Sequence, residues 1–398
     1  MRRFMMVGLA LLVSASAVFA GETAANTNPA LFYWQAFTLM PQLSDSEYSS
    51  DADYNTLPLN DTFDKLVTRF DVAFRVLRKA AESKAECDWG IDITSDGPYA
   101  ALPHLAKAKW VAQMNANVRG PYFLRKGKPD AAATDTLAVF KLGRDTARDG
   151  TLISVLVQGA IENICAKFIA DHFAQFDDAT VQRLAEGIKE LPAHLSVKNA
   201  MLVEREGFLT WYKTKIQSFI DNPGEKGATA LSRQLLVETL ESPEEQPSHK
   251  EIPDDVMREA GGTAEGLLAY LDGVDKWYNE IDAIFALPNR DIPGKLDEFV
   301  AKLNKEGSLL AKELLPAIGK AQRKEFWTQT RLTMLDAAIA YRLHGKAAFD
   351  AVPEPVAEGN FELIPTASGF DVRSKLNSEF GPDKEKGKPV TLSFTAKK

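Results

Sequence analysis

Apolar residues recur every three or four positions along most of this chain, and at every second position only near its C-terminal end. The first spacing is that of amphipathic helices and the second that of half-buried strands. In "NDTFDKLVTRFDVAFRVLRKAAE" the stripe is Phe63, Leu66, Val67, Phe70, Phe74 and Leu77, with Asn60 or Asp61 as the cap. Helical periodicity also spans 104–125, 131–147, 151–174, 178–191, 196–221, 263–287, 292–304 and 307–344, the last kinked at Pro316. The breaks are short and built from turn residues: "RKGKPD", "RDGT", "FDDAT", "LPAHLS", "DNPGEKG". Such connections favour antiparallel neighbours.

Two segments interrupt the helical pattern. Residues 44–61 are acidic without a base and read as an exposed loop. Residues 241–262 are the most polar and Pro-rich, so they form either a surface loop or a boundary between two helical halves. Before the first of these lies "NPALFYWQAFTLMP", a short aromatic helix. Asn28 caps it, Pro29 suits its first position and Pro41 stops it. So much apolar surface should dock on the rest of the protein. At the other end "NFELIP", "GFDVRSKL" and "PVTLSFTA" alternate, separated by the turn chemistry of "TASG" and "GPDKEKGK". The expected fold is mainly α: a multi-helix antiparallel bundle or irregular helical array over 21–345. A small antiparallel β element over 346–398 packs on the last long helix.

The N-terminus adds a compartment. Arg2 and Arg3, an apolar run from Phe4 to Val13, and Val18 and Ala20 at the −3 and −1 positions before Gly21 make residues 1–20 a secretory signal peptide. The expectation is a periplasmic or secreted protein with no transmembrane segment in the mature chain. Loss of Arg2 and Arg3 leaves 45 basic against 55 acidic residues, moving the formal charge from −8 to −10. An acidic chain without a basic cluster excludes nucleic acid as the expected partner. Cys87 and Cys165 are the two cysteines. They either pair in the oxidising compartment or remain free thiols, with Cys165 in an apolar helical run.

Candidate chemistry lies in two places. "AECDWGIDITSDGPYAALPHL", residues 85–105, lacks periodicity and holds Cys87, Trp89, three aspartates and His104. Asp92, Thr94 and Asp96 before Gly97 have the spacing of the start of a calcium loop, but Pro103 stands where the bidentate Glu belongs. Asp92 and Asp96 are therefore a weak calcium candidate beside a plain turn reading, and no other cofactor is expected. Trp89 should anchor the loop to the core with its N–H on a backbone carbonyl, and His104 reads as structural.

The second place is "TLISVLVQGAIENICAKFIADHF", apolar around most of its circumference. Ser154, Gln158 and Glu162 form a polar ladder on it at i, i+4, i+8. A carboxylate on a buried helix is either paired or functional. The pairing partner would be Arg75, Arg119, Arg144 or Arg331. The functional role would be acid–base chemistry in a cleft between helices, with Gln158 beside Glu162. Glu204, Arg205 and Glu206 read as a solvated charge cluster. The five histidines have no ligand spacing, and there is no Gly-x-Ser-x-Gly elbow, His-Glu-x-x-His or phosphate loop.

"NPALFYWQAF", "CDWGIDITSDGPYAALPHLAKAK" and "DGTLISVLVQGAIE", in that order, resemble a group of uncharacterised secreted proteins of planctomycete-type bacteria. The resemblance covers patches of the first half. The tail, a long helix then "GFDVRSKL" and "GPD", is similar to the C-terminal, pseudopilin-like part of those proteins. It implies an exported helical protein and no particular activity or catalytic residue. Two functions follow. One is an interaction or binding module for a protein or cell-envelope component. The alternative is a carboxylate-dependent enzyme with its cleft around Glu162.

Overall fold

Turn residues and caps set the element ends. In a computed structural model, residues 26–44, 56–240, 252–377 and 387–396 are described. Residues 1–20, expected to be a signal peptide, most of the acidic stretch 44–61 and residues 241–251 lie outside them. The fold is mainly helical with a small antiparallel sheet at the C-terminus, as the periodicity requires.

Asn28 caps α1 (Pro29–Leu39), accepting from the Ala30 N–H at 3.0 Å. Tyr33 and Phe37 bury its inner face against α3. The expected helix over 61–82 is two segments, α2 (Asp61–Arg69) and α3 (Asp71–Glu82), meeting at Phe70. Asn60 caps the first. Next come α4 (Pro103–Met114) and α5 (Gly120–Arg125), joined by a π-turn over Asn115–Arg119. α6 (Pro129–Thr146), α7 (Leu152–Asp171) and α8 (Asp178–Lys189) follow. A second π-turn, Arg205–Thr210, joins α9 (Val197–Glu204) to α10 (Trp211–Asp221).

Part of the expected polar interruption, 241–262, is helical. α11 (Ala228–Leu240) runs up to it, and α12 (Ile252–Glu259) occupies its second half. α12 buries Val256 and Met257. α13 (Ala264–Phe285) and α14 (Ile292–Glu306) precede α15 (Leu309–Leu314) and α16 (Pro316–His344), which meet at Leu315 where a single kinked helix was expected. Pro316 starts α16, where its missing N–H costs no helical bond.

β1 (Glu362–Thr366), β2 (Gly369–Asn377) and β3 (Pro389–Thr395) pair antiparallel in that order. Register aligns Val372 with Leu392 and Phe370 with Phe394. Val372, Val390, Leu392 and Phe394 form the buried face, set against α7 and α16. A Cβ on Gly369 would stand 1.9 Å from the Phe394 carbonyl oxygen, so only glycine fits that turn of the hairpin.

The interior forms two apolar clusters. One gathers Phe70, Phe74, Phe140, Phe168 and Leu335 with the sheet. The other gathers Met201, Trp211, Leu271, Trp277 and Phe299. Full burial of each such side chain stabilises by about 1.5–3 kcal/mol. Two helices belong to both. α7 gives Val155 to the second cluster and Ile161 through Ala170 to the first. α16 gives Phe326 to the second and Met334 through Ile339 to the first. Between α8 and α9, Leu191 packs on the first cluster and Leu195 on the second. The chain therefore crosses between cores at "LPAHLS".

Candidate functional site

The polar ladder on α7 lies where the two cores meet. Ser154, Gln158 and Glu162 are each 0% exposed. α7 is long and apolar enough to cross a membrane, and here it packs against α4, α6, α9, α16 and β3. Its ladder is thus enclosed by protein, and each rung has a partner. The Ser154 hydroxyl donates its proton to Asp149, with the Thr151 carbonyl oxygen 2.8 Å away. Gln158 donates to the Leu195 carbonyl at 3.0 Å and accepts from the Leu195 N–H at 3.3 Å. Glu162 forms an ion pair with Arg144 of α6, one of the four arginines expected as its partner. Arg119 is taken up elsewhere, by Asp71 and Asp135.

His194 completes the joint from the connection between α8 and α9. Its Nδ1 is 3.1 Å from Glu162 Oε2 and 2.8 Å from Gln158 Nε2. One nitrogen cannot donate to a carboxylate and accept from an amide together, so its proton decides which contact is a bond. Its Nε2 is 3.8 Å from Glu325 Oε1 of α16. Glu325 also accepts from the Val197 N–H at 2.7 Å and from Gln329 at 2.7 Å. Burial raises the Glu325 carboxyl above the ordinary range and Glu162 adds to this, while the Val197 N–H and His194 oppose it. The imidazole thus stands between two carboxylates. Such an array can share protons, but no substrate reaches a Glu162 carboxylate that is fully covered. Asn163 donates to Thr328 at 2.7 Å beside Gly159, where a Cβ would stand 3.2 Å from the Thr328 hydroxyl. The close contact of α7 with α16 excludes a cleft there.

The loop 85–105 ties the same two cores together. Trp89 donates its indole N–H to the Asp145 carbonyl at 2.7 Å, as the sequence led one to expect. It stacks on His104 with ring centroids 4.3 Å apart. His104 is 0% exposed, its Nε2 3.1 Å from Asp149 Oδ2. Asp92 is a cap: its Oδ1 accepts from the Ser95 N–H at 3.0 Å and the Thr94 hydroxyl at 2.8 Å. These bonds hold its carboxyl below the ordinary range. Asp96 is exposed on the same short turn. No group of three His, Cys, Asp or Glu side chains able to hold a metal occurs among the described residues. On the far side of the turn Ser95 accepts from the Trp211 indole at 3.0 Å.

Cys87 and Cys165 are both buried free thiols. Glu204 is not in a solvated cluster: it accepts from the Leu152 N–H at 2.7 Å and so caps α7. Arg205 pairs with Asp275 at 2.6 Å, and only Glu206 of that trio is exposed. Reach explains the difference, because the partners come from 52 and 70 positions away in the chain.

The concave surface lies elsewhere. A concavity of about 810 Å³ runs between α3, α6, α8 and Pro192, floored by Ala81, Leu137, Ala138 and Leu191. A second of about 450 Å³ lies among α3, α6 and the π-turn, lined by Val72, Arg75, Arg119, Phe123 and Asp135. The two meet at Arg78 and Thr134. Sequence reasoning named Arg75 and Arg119 only as partners for Glu162. A third concavity, of about 450 Å³, is lined by Phe173, Tyr341 and Phe370 beneath the sheet. There the Arg342 guanidinium is already taken up by Asp178 and the Phe173 and Phe176 carbonyls.

Comparison with known protein families, with curated proteins and with solved structures finds no match.

Proposed function

We propose that this chain is an exported binding module of the periplasm or cell surface, and that its partner, a protein or cell-envelope component, lies in the groove along α3, α6 and α8. The observation that carries this reading is the groove itself: two adjoining concavities with an aliphatic floor and charged walls, of about 810 and 450 Å³. Sites that hold ligands combine an apolar floor with a few polar groups in this way. The signal-peptide pattern at residues 1–20 supports export. The carboxylate-enzyme alternative loses its best residue, because Glu162 is covered and held by Arg144.

The test is steric. Thr134 sits on the shared wall of both concavities, half-buried, with its hydroxyl returned to the Asp130 carbonyl at 2.8 Å. A Thr134→Trp variant fills the groove without touching either core. Residues 21–398, immobilised, are exposed to a detergent extract of the host envelope. The reading expects a component retained by the wild type and lost with Thr134→Trp, at equal unfolding temperature. Equal retention by both proteins would refute it.

A further inference from the structure

The groove has a cationic end whose charges are arranged for an acid. Arg75 and Arg78 stand three residues apart on α3, on one face of the helix. Asp71, four residues before Arg75, is its natural helical partner. Asp71 is instead taken by Arg119, whose Nη1 lies 2.7 Å from Asp71 Oδ1. Arg119 comes from the π-turn, is 1% exposed, and stacks its guanidinium over Phe74 and Phe123 at 4.4 and 4.9 Å. Its Nη2 also meets Asp135 Oδ2 at 3.0 Å. Asp135, 1% exposed, is shared with Arg78. Both local carboxylates are thereby engaged, and Arg75 is exposed with no acceptor among the described residues. Arg78 binds Asp135 through one terminal nitrogen and keeps the others.

Across the whole groove six basic side chains face four acidic ones. The chain as a whole is acidic, with a formal charge of −8. Paired guanidiniums on a rigid helix match the planar two-oxygen geometry of a carboxylate. Beyond this end the floor is aliphatic, with Ala81, Leu137, Ala138 and Leu191 and no aromatic face on which a sugar ring would stack. From these features, and resting on the binding role argued above, we infer that the groove takes an acidic peptide segment. Its carboxylate sits on Arg75 and Arg78, and an aliphatic side chain nearby in the peptide lies on the floor.

The probe is an array of short random-sequence peptides, half with a free C-terminal carboxylate and half amidated, incubated with residues 21–398. The expected binders are enriched in peptides that combine a carboxylate with an aliphatic residue. Arg75→Glu should weaken their binding about tenfold or more, since an attractive charged contact becomes a repulsive one, and Arg75→Lys less, since it keeps the charge and loses only the second hydrogen bond. Arg75 is exposed and has no partner among the described residues, so both variants should fold as the wild type does. Binders lost in Thr134→Trp yet unchanged in Arg75→Glu would overturn the acidic preference and leave the groove standing. Binders without enrichment for acids would overturn it too. Binding that neither variant alters would overturn both.

Discussion

At the residue scale, Glu162 gains its fixed place from Arg144 on one side and His194 on the other. Removing a carboxylate from a buried pair leaves its cation uncompensated, at a cost of about 3–5 kcal/mol. Glu162→Ala should lose that much in denaturant unfolding, and Arg144→Met on top of it should restore part, which a double-mutant cycle measures. Glu325 behaves differently with pH. Its carboxyl is raised, so the folded state holds the proton more tightly than the unfolded chain does. Its contribution is full below the ordinary value of 4.5 and is lost as pH rises through the higher folded value. Glu325→Gln should therefore gain stability relative to wild type as pH climbs, and unfolding curves at acid and neutral pH check the sign. The ladder of Ser154, Gln158 and Glu162 was legible because i, i+4 spacing is local. Glu325 and Gln329 repeat that spacing on α16, a local signal that the sequence analysis did not take up. His194 was not legible, since its contacts with Gln158 and Glu162 span 36 and 32 positions.

At the element scale, the non-periodic loop 85–105 acts as a clamp between cores. Trp89 and His104 fasten its ends to α6 and the Asp149 turn, while Ser95 and Gly97 meet Trp211. Gly97 has φ +57°, and a Cβ there would stand 2.5 Å from the Trp211 ring. Gly97→Ala should destabilise by about 2 kcal/mol or more, from left-handed strain and overpacking together. Trp89→Phe keeps the stacking but removes the indole hydrogen bond to the buried Asp145 carbonyl, at about 1 kcal/mol. Thermal unfolding reads both, with Gly97→Ala also quenching or shifting Trp211 fluorescence. Helices with strong stripes and turn-rich breaks could be read from sequence. The π-turns could not, because they are register shifts that packing imposes: at Gly120 a Cβ would stand 2.4 Å from Phe168. α12 was hidden by its composition. Pro253 and two aspartates fill its first turn, and only Ile252, Val256 and Met257 carry apolar spacing.

At the scale of the whole molecule, two apolar cores share α7 and α16, and buried polar groups occupy their junction. Periodicity predicts the helical class and the terminal sheet. It does not predict where the cores divide, because each shared helix changes core partway along an unbroken stripe. Nor does it predict the groove, which arises from α3, α6 and α8 at their packing distance. The Glu162 junction lies between the cores, and the proposed binding role falls to the groove, away from it. The direct test compares Glu162→Gln and Thr134→Trp, each confirmed folded by circular dichroism at the assay temperature, for retention of the envelope component. The account predicts retention by Glu162→Gln despite a lowered unfolding temperature, and loss by Thr134→Trp at an unchanged one. Loss by folded Glu162→Gln with retention by Thr134→Trp would contradict it.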